Sequence, residues 1–157
     1  MKKTFKILTI AACACMLAGC GSVENQGETK APKPELVKVV NPLMTVSSVG
    51  EMEKYLDFSV PVLDKEVESY IVLVIDGYPE IGRIRYADEA VFNKKYGSGD
   101  ISGIYGGTLE KTEELDGVTV SFYTYDTTRY ALWEQDGFTH SLTGGDNLED
   151  EVKSLLK

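Results

Sequence analysis

The sequence is poor in the side chains that carry most protein chemistry. Among 157 residues there is one histidine, His140, and three cysteines, Cys13, Cys15 and Cys20. A single histidine with no cysteine beyond position 20 leaves zinc without a ligand set. A Ser-His-Asp arrangement could draw only on His140 with Ser141 or Ser121, and neither serine sits in a nucleophile elbow. The glycines between Gly97 and Gly107 show neither GxGxxG spacing nor a glycine-lysine-hydroxyl ending, which excludes the common phosphate loops. The alternating carboxylates of a twelve-residue calcium loop are also missing. A glycosidase pair could be drawn from any two of the 25 acids, so their number carries no weight. These absences give the expectation of a protein that is not an enzyme and holds no metal and no cofactor.

Basic charge is scarce as well. Arg83, Arg85 and Arg129 are the only arginines, and the formal net charge is −9. Nucleic-acid binding needs clustered lysine and arginine to neutralise phosphate, so no nucleic-acid partner is expected. There is also no apolar run of the roughly 20 residues that a membrane-spanning helix requires.

What is present begins at the N-terminus. Lys2, Lys3 and Lys6 precede an uncharged apolar run from Ile7 to Ala18. This is the layout of a secretory signal. It ends in Leu17, Ala18, Gly19 and Cys20, which resembles the bacterial lipobox. The resemblance implies cleavage after Gly19 and a thioether-linked diacylglycerol on Cys20, with acyl chains such as palmitate. Residues 1–19 are therefore expected to be a lipoprotein signal peptide. The product would sit on the outer, extracytoplasmic face of the cell membrane, with the membrane itself a partner through the lipid on Cys20. Cys13 and Cys15 would be discarded and Cys20 consumed, leaving neither free thiol nor disulfide. Removal of Lys2, Lys3 and Lys6 leaves 13 basic against 25 acidic residues, a formal charge of −12. Residues 20–40 are polar and contain Pro32 and Pro34, which predicts a lipid-anchored flexible tether, with Val37, Val39 and Val40 a possible short edge strand. Residues 41–157 are one domain's worth of chain.

Within that domain, Ser48 with Glu51 forms a capping pair, and Val49, Met52 and Leu56 recur at helical spacing. Asp146 with Glu149 opens a second such segment, whose Leu148, Val152, Leu155 and Leu156 share a face. Between them the period changes to that of strands. Tyr70 to Ile75 is a continuous apolar run, and Asp116-Gly117 and Asp136-Gly137 are hairpin turns flanked by alternating residues. The fold class expected is α+β: a twisted antiparallel meander of about six strands, with an N-terminal and a C-terminal helix packed on one face.

Arg83 and Arg85 are two apart on a strand and so share a face, where they could receive an anion. With Tyr123, Tyr125 and Trp133 they make the candidate binding surface, although aromatics on half-buried strands commonly belong to the core.

Asn41-Pro42-Leu43, Ser48 with Glu51 and Leu56, Pro61, and Asp100-Ile101-Ser102-Gly103 resemble an uncharacterised family of Gram-positive, clostridial-type lipoproteins. Trp133, Gly137, Ser141-Leu142 and the final helix through Ser154-Leu155 are similar to a C-terminal domain of unknown function. That domain is also found in the extracytoplasmic regions of anti-sigma-factor-like proteins. The resemblance implies location and fold more than activity. Phe92-Asn93 stands where the family pattern has an aromatic-arginine pair, and His140 where it has tyrosine.

The functional expectation is a membrane-anchored, non-enzymatic binding or sensing module for an unknown protein or small envelope ligand. The alternatives are a lipid or apolar-ligand carrier with a cavity between sheet and helices, and an unrecognised hydrolase. Mass spectrometry of the protein from native membranes should give an N-terminus at Cys20 carrying a diacylglycerol increment. Cys20→Ser should abolish the increment and release the protein from the membrane fraction.

Overall fold

In a computed structural model the described residues are 41–156. The expected signal peptide, lipobox, tether and edge strand at Val37–Val40 lie outside them. Among the described residues, no helix is long and apolar enough to cross a membrane.

The first strand, β1 (Leu43–Val46), follows Asn41, whose Oδ1 accepts the Leu43 N–H at 3.1 Å. Helix α1 (Val49–Leu56) starts at Ser48, whose Oγ accepts the Glu51 N–H at 3.2 Å. The Glu51 carboxylate reaches back to the N–H and Oγ of Ser47, at 2.8 and 2.6 Å, closing the first turn reciprocally. These contacts hold its pKa below the usual carboxylate range, the Ser47 hydroxyl contributing most. The helix ends at Asp57 in the left-handed conformation, with its N–H on the Glu53 carbonyl.

Seven further strands follow: β2 (Val67–Ile75), β3 (Tyr78–Tyr86), β4 (Val91–Tyr96), β5 (Thr108–Leu115), β6 (Val118–Tyr125), β7 (Thr128–Gln135) and β8 (Phe138–Gly144). Helix α2 (Leu148–Leu155) comes last; its N-cap is Asn147 without a side-chain cap bond, which corrects the expected Asp146–Glu149 capping pair. Asp76-Gly77, Asp116-Gly117 and Asp136-Gly137 join strand pairs with both turn residues at positive φ, the twist that suits a two-residue hairpin. Between β3 and β4 the loop has four residues. The Glu89 N–H bonds the Tyr86 carbonyl at 3.0 Å, and Glu89 itself takes positive φ.

The expectation of about six sequential strands is corrected by this arrangement. Among the described residues there are eight strands in one antiparallel sheet, in the order β1-β2-β3-β4-β8-β7-β6-β5, with two short helices. Strand β1 has four residues, too few for periodicity to register. The sheet is also not a simple meander. It comprises two four-stranded meanders fused where β4 pairs with β8, matching Phe92 with Leu142 and Lys94 with His140. Hydrophobic alternation reports which face a residue occupies but not which strand lies beside it.

Both helices pack on one face. Met52 and Leu56 of α1, Val152 and Leu155 of α2, and Val60 and Leu63 of the segment after α1 meet Val72, Ile84, Phe92, Phe122 and Leu142 of the sheet. Lys65 ties this segment down, donating to Asp88 at 2.6 Å and pairing with Glu151 of α2. Burial opposes its charge, but these two carboxylates outweigh that and raise its pKa.

Helix α1 sits close because β3 carries glycine where it crosses. A Cβ at Gly82 would lie 2.8 Å from Leu56 Cδ1, 3.0 Å from Met52 Sδ and 3.1 Å from Val60 Cγ2. Gly82→Val should therefore cost about 2 kcal/mol by overpacking, read as a lower urea midpoint with unchanged slope.

Candidate functional site

Strands β4 and β5 run in the same direction, and β8, β7 and β6 lie between them. Their connection, residues 97–107, must therefore cross the sheet from one end to the other. The helices occupy one face, so the connection lies diagonally on the opposite face as a strap. Its start is pinned by the Gly97 N–H on the Gly137 carbonyl at 2.9 Å and by the Thr139 hydroxyl on the Gly97 carbonyl at 2.5 Å. Its middle is the Asp100-Ile101-Ser102-Gly103 element. Asp100 Oδ1 accepts from the Ser102 N–H at 2.8 Å and the Ser102 hydroxyl at 2.7 Å, and Ser102 Oγ accepts the Ile104 N–H at 3.1 Å. Ile101 and Ser102 are buried by this turn. At its end Gly107 rests on Tyr130, where a Cβ would fall 2.0 Å from the phenol oxygen. Only glycine allows that approach.

Beside the strap lies an open groove of about 750 Å³. Gly99 of the strap forms one wall, and Ser121, Tyr123, Leu132 and Thr139 are among the sheet residues that line it. Tyr123 stacks on Tyr130 with centroids 5.1 Å apart and planes at 12°, which fixes the ring. Glu134 and Gln135 also line the groove. The lining offers hydroxyls, an amide, a phenol and the carboxylates of Glu134 and Asp136 around a small apolar area, a composition suited to hydrogen-bonded recognition.

The five residues of the expected binding surface divide. Register places Arg83, Arg85, Tyr123 and Tyr125 on the strap face, opposite the face of Gly82, Ile84 and Phe122. Arg83 is half-buried, and its Nε donates to Asn93 Oδ1 at 2.7 Å, while Asn93 Nδ2 donates to Ser141 Oγ at 2.9 Å. Burial lowers the Arg83 pKa, and Arg85 lowers it further. Arg85 is exposed and faces Glu68 at 3.3 Å, an ordinary surface pair. Tyr125 is at the rim, half-exposed. Trp133 lies elsewhere: its side chain is buried in the core on the helix face, beside its cross-strand partner Val120. Both Leu132 and Trp133 are large and apolar, so β7 alternation alone does not decide which of them turns outward. The chain from Arg83 through Asn93 to Ser141 has no signal in the sequence, since it depends on the pairing of β3, β4 and β8.

His140 also belongs to the helix face. Its ring stacks on Trp133 at 5.1 Å and 7°, and it is 5% exposed. Burial, then the charge of Lys94, lowers its pKa to about 4, so it is neutral at pH 7. Neither Ser141 nor Ser121 shares its face, since both alternate onto the strap side. Among the described residues no three His, Cys, Asp or Glu side chains converge as a metal site.

A neutral buried histidine ties stability to pH. The unfolded chain takes up the proton near pH 6.5 and the folded chain only near 4. The folded state is thus favoured fully above pH 6.5 and progressively less as pH falls through that window. Between pH 7.5 and 5 the wild type should lose about 2 kcal/mol more than His140→Phe, measured by urea unfolding at each pH. No family model, curated protein or solved structure matches this chain.

Proposed function

We propose that this protein is a lipid-anchored, extracytoplasmic binding or sensing module, and that its ligand is received in the groove beside the strap. The observation that carries this reading is the strap itself. A connection of eleven residues is spent on crossing the sheet, and it leaves beside it a polar groove of about 750 Å³ with an ordered tyrosine in its lining. Long connections with internal hydrogen bonds and buried anchors are where binding surfaces are commonly built. The groove lining is hydroxyl, amide and phenol with the carboxylates of Glu134 and Asp136, which suits a donor-rich, hydrogen-bonding segment of a protein, peptide or envelope ligand.

Two observations weigh against the alternatives. The layer between sheet and helices is filled by Met52, Phe92, Phe122, Leu142 and Val152, all at or near zero exposure. The openings at the edge of that layer, about 360 Å³ beside Lys94 and about 650 Å³ beside Leu56 and Phe58, are surface recesses and not one enclosed cavity. The groove contains Glu134 and Asp136 but no histidine, lysine or arginine to complete an acid-base set.

Ser121→Trp would fill the groove while leaving the helix face untouched. Binding to isolated envelope fractions by the native protein should be saturable, at least tenfold weaker for Ser121→Trp, and unchanged for Glu68→Gln on β2, strands away from the groove. Equal binding by all three proteins would refute the groove as the site.

A further inference from the structure

On the helix face, at the end of the sheet where β4 and β8 finish and start, a second pocket opens. It has a volume of about 360 Å³ and is lined by Ser59, Val60, Pro61, Lys94, Phe138, His140 and Leu155, with Gln135 and Asp136 at its edge. Lys94 is the unusual member. It is 9% exposed on an inward-facing position of a central strand. Its ammonium donates to the Ser59 carbonyl at 2.9 Å and lies 4.3 Å from the Phe138 ring centroid and 5.7 Å from that of Phe58. Among the described residues no carboxylate approaches it within ion-pair distance; Asp136 and Glu53 act on it only from farther away. A buried cation costs several kcal/mol unless it is paired, and one carbonyl with two ring faces is incomplete compensation. His140, 5% exposed and lining the same pocket, has an Nδ1 with no hydrogen-bond partner. Two buried polar groups thus stand beside an opening with their bonding capacity unfilled. The remaining walls are apolar, and Phe138 packs on Phe58 at 5.1 Å and edge-on to Tyr96 at 5.5 Å, giving the mouth an aromatic rim.

We propose that this pocket is a second ligand site, specific for a small organic carboxylate with an aromatic or compact apolar body. The carboxylate pairs with Lys94 and accepts a hydrogen bond from His140 in its Nδ1–H tautomer. The apolar body lies among Val60, Pro61, Phe138 and Leu155. The site is on the opposite face from the strap groove and shares with it only Gln135 and Asp136 at the β7–β8 turn, so its test at Lys94 is distinct from that of the groove.

The probe is benzoate, with benzamide as its neutral counterpart, titrated by calorimetry into the full chain. Benzoate should bind saturably and at least tenfold more tightly than benzamide. Lys94→Met, close in length and apolar, should weaken benzoate at least tenfold and leave benzamide within about twofold. Lys95→Met makes the same charge change one residue along, on the strap face, and should leave benzoate within twofold. If Lys94→Met does not fold, the benzoate-to-benzamide ratio on the native protein decides alone. Absence of saturable benzoate binding, equal affinity for the two probes, or an equal loss in Lys95→Met would overturn the proposal.

Discussion

The ladder between β4 and β8 joins residues about fifty positions apart and converts two separate hairpin stacks into one sheet. Each half alone is a four-stranded meander with one helix, and neither helix could cover an apolar face by itself. With Phe92 opposite Leu142, the two apolar faces become continuous, and α1, α2 and the Val60–Leu63 segment close over a single core. The same pairing places three strands between β4 and β5, and so dictates that residues 97–107 cross the sheet. Because α1 and α2 already hold one face, the crossing goes to the other. The strap and its groove follow from a pairing made elsewhere.

Strand β4 shows how one segment serves both faces. Phe92 and Lys94 point to the helix side, while Asn93 and Lys95 alternate onto the strap side. Asn93 continues a polar chain from Arg83 to Ser141 across three strands, and with both its partners satisfied it is a rigid element in an otherwise apolar region. Lys94 meets the opposite circumstance, with aromatic faces and one carbonyl but no counter-charge. A central strand with polar residues on both faces is costly to bury, and that cost marks where function is most reasonably sought.

Part of this architecture is legible from local chemistry. The helix at Val49–Leu56 follows from Ser48 and Glu51, and the hairpins at Asp116-Gly117 and Asp136-Gly137 follow from the positive φ that aspartate and glycine accept. Same-face placement of Arg83 and Arg85 also follows from the strand period. Other features are not legible. Four-residue β1 is below the length at which alternation is distinguishable from chance. Lys94-Lys95 reads as a solvated pair, although register to Phe92 two positions earlier would have put Lys94 on the apolar side. Trp133 was assigned to a surface because aromatic side chains occur on both faces of this sheet, and composition does not separate Tyr123, which is on the strap side, from Trp133, which is in the core.

The sequence by itself determined the aspartate-glycine turns, the start of α1 and the alternation of strands such as β6, because these depend on backbone sterics and on bonds spanning a few residues. It also determined the shortage of thiol, imidazole and guanidinium groups. Only the tertiary structure decided that β4 lies against β8, that residues 97–107 form a strap, and that Lys94 and His140 share a pocket. Those outcomes depend on which apolar faces can be made continuous across the whole sheet, and that is a property of strand order, to which no single segment holds the key.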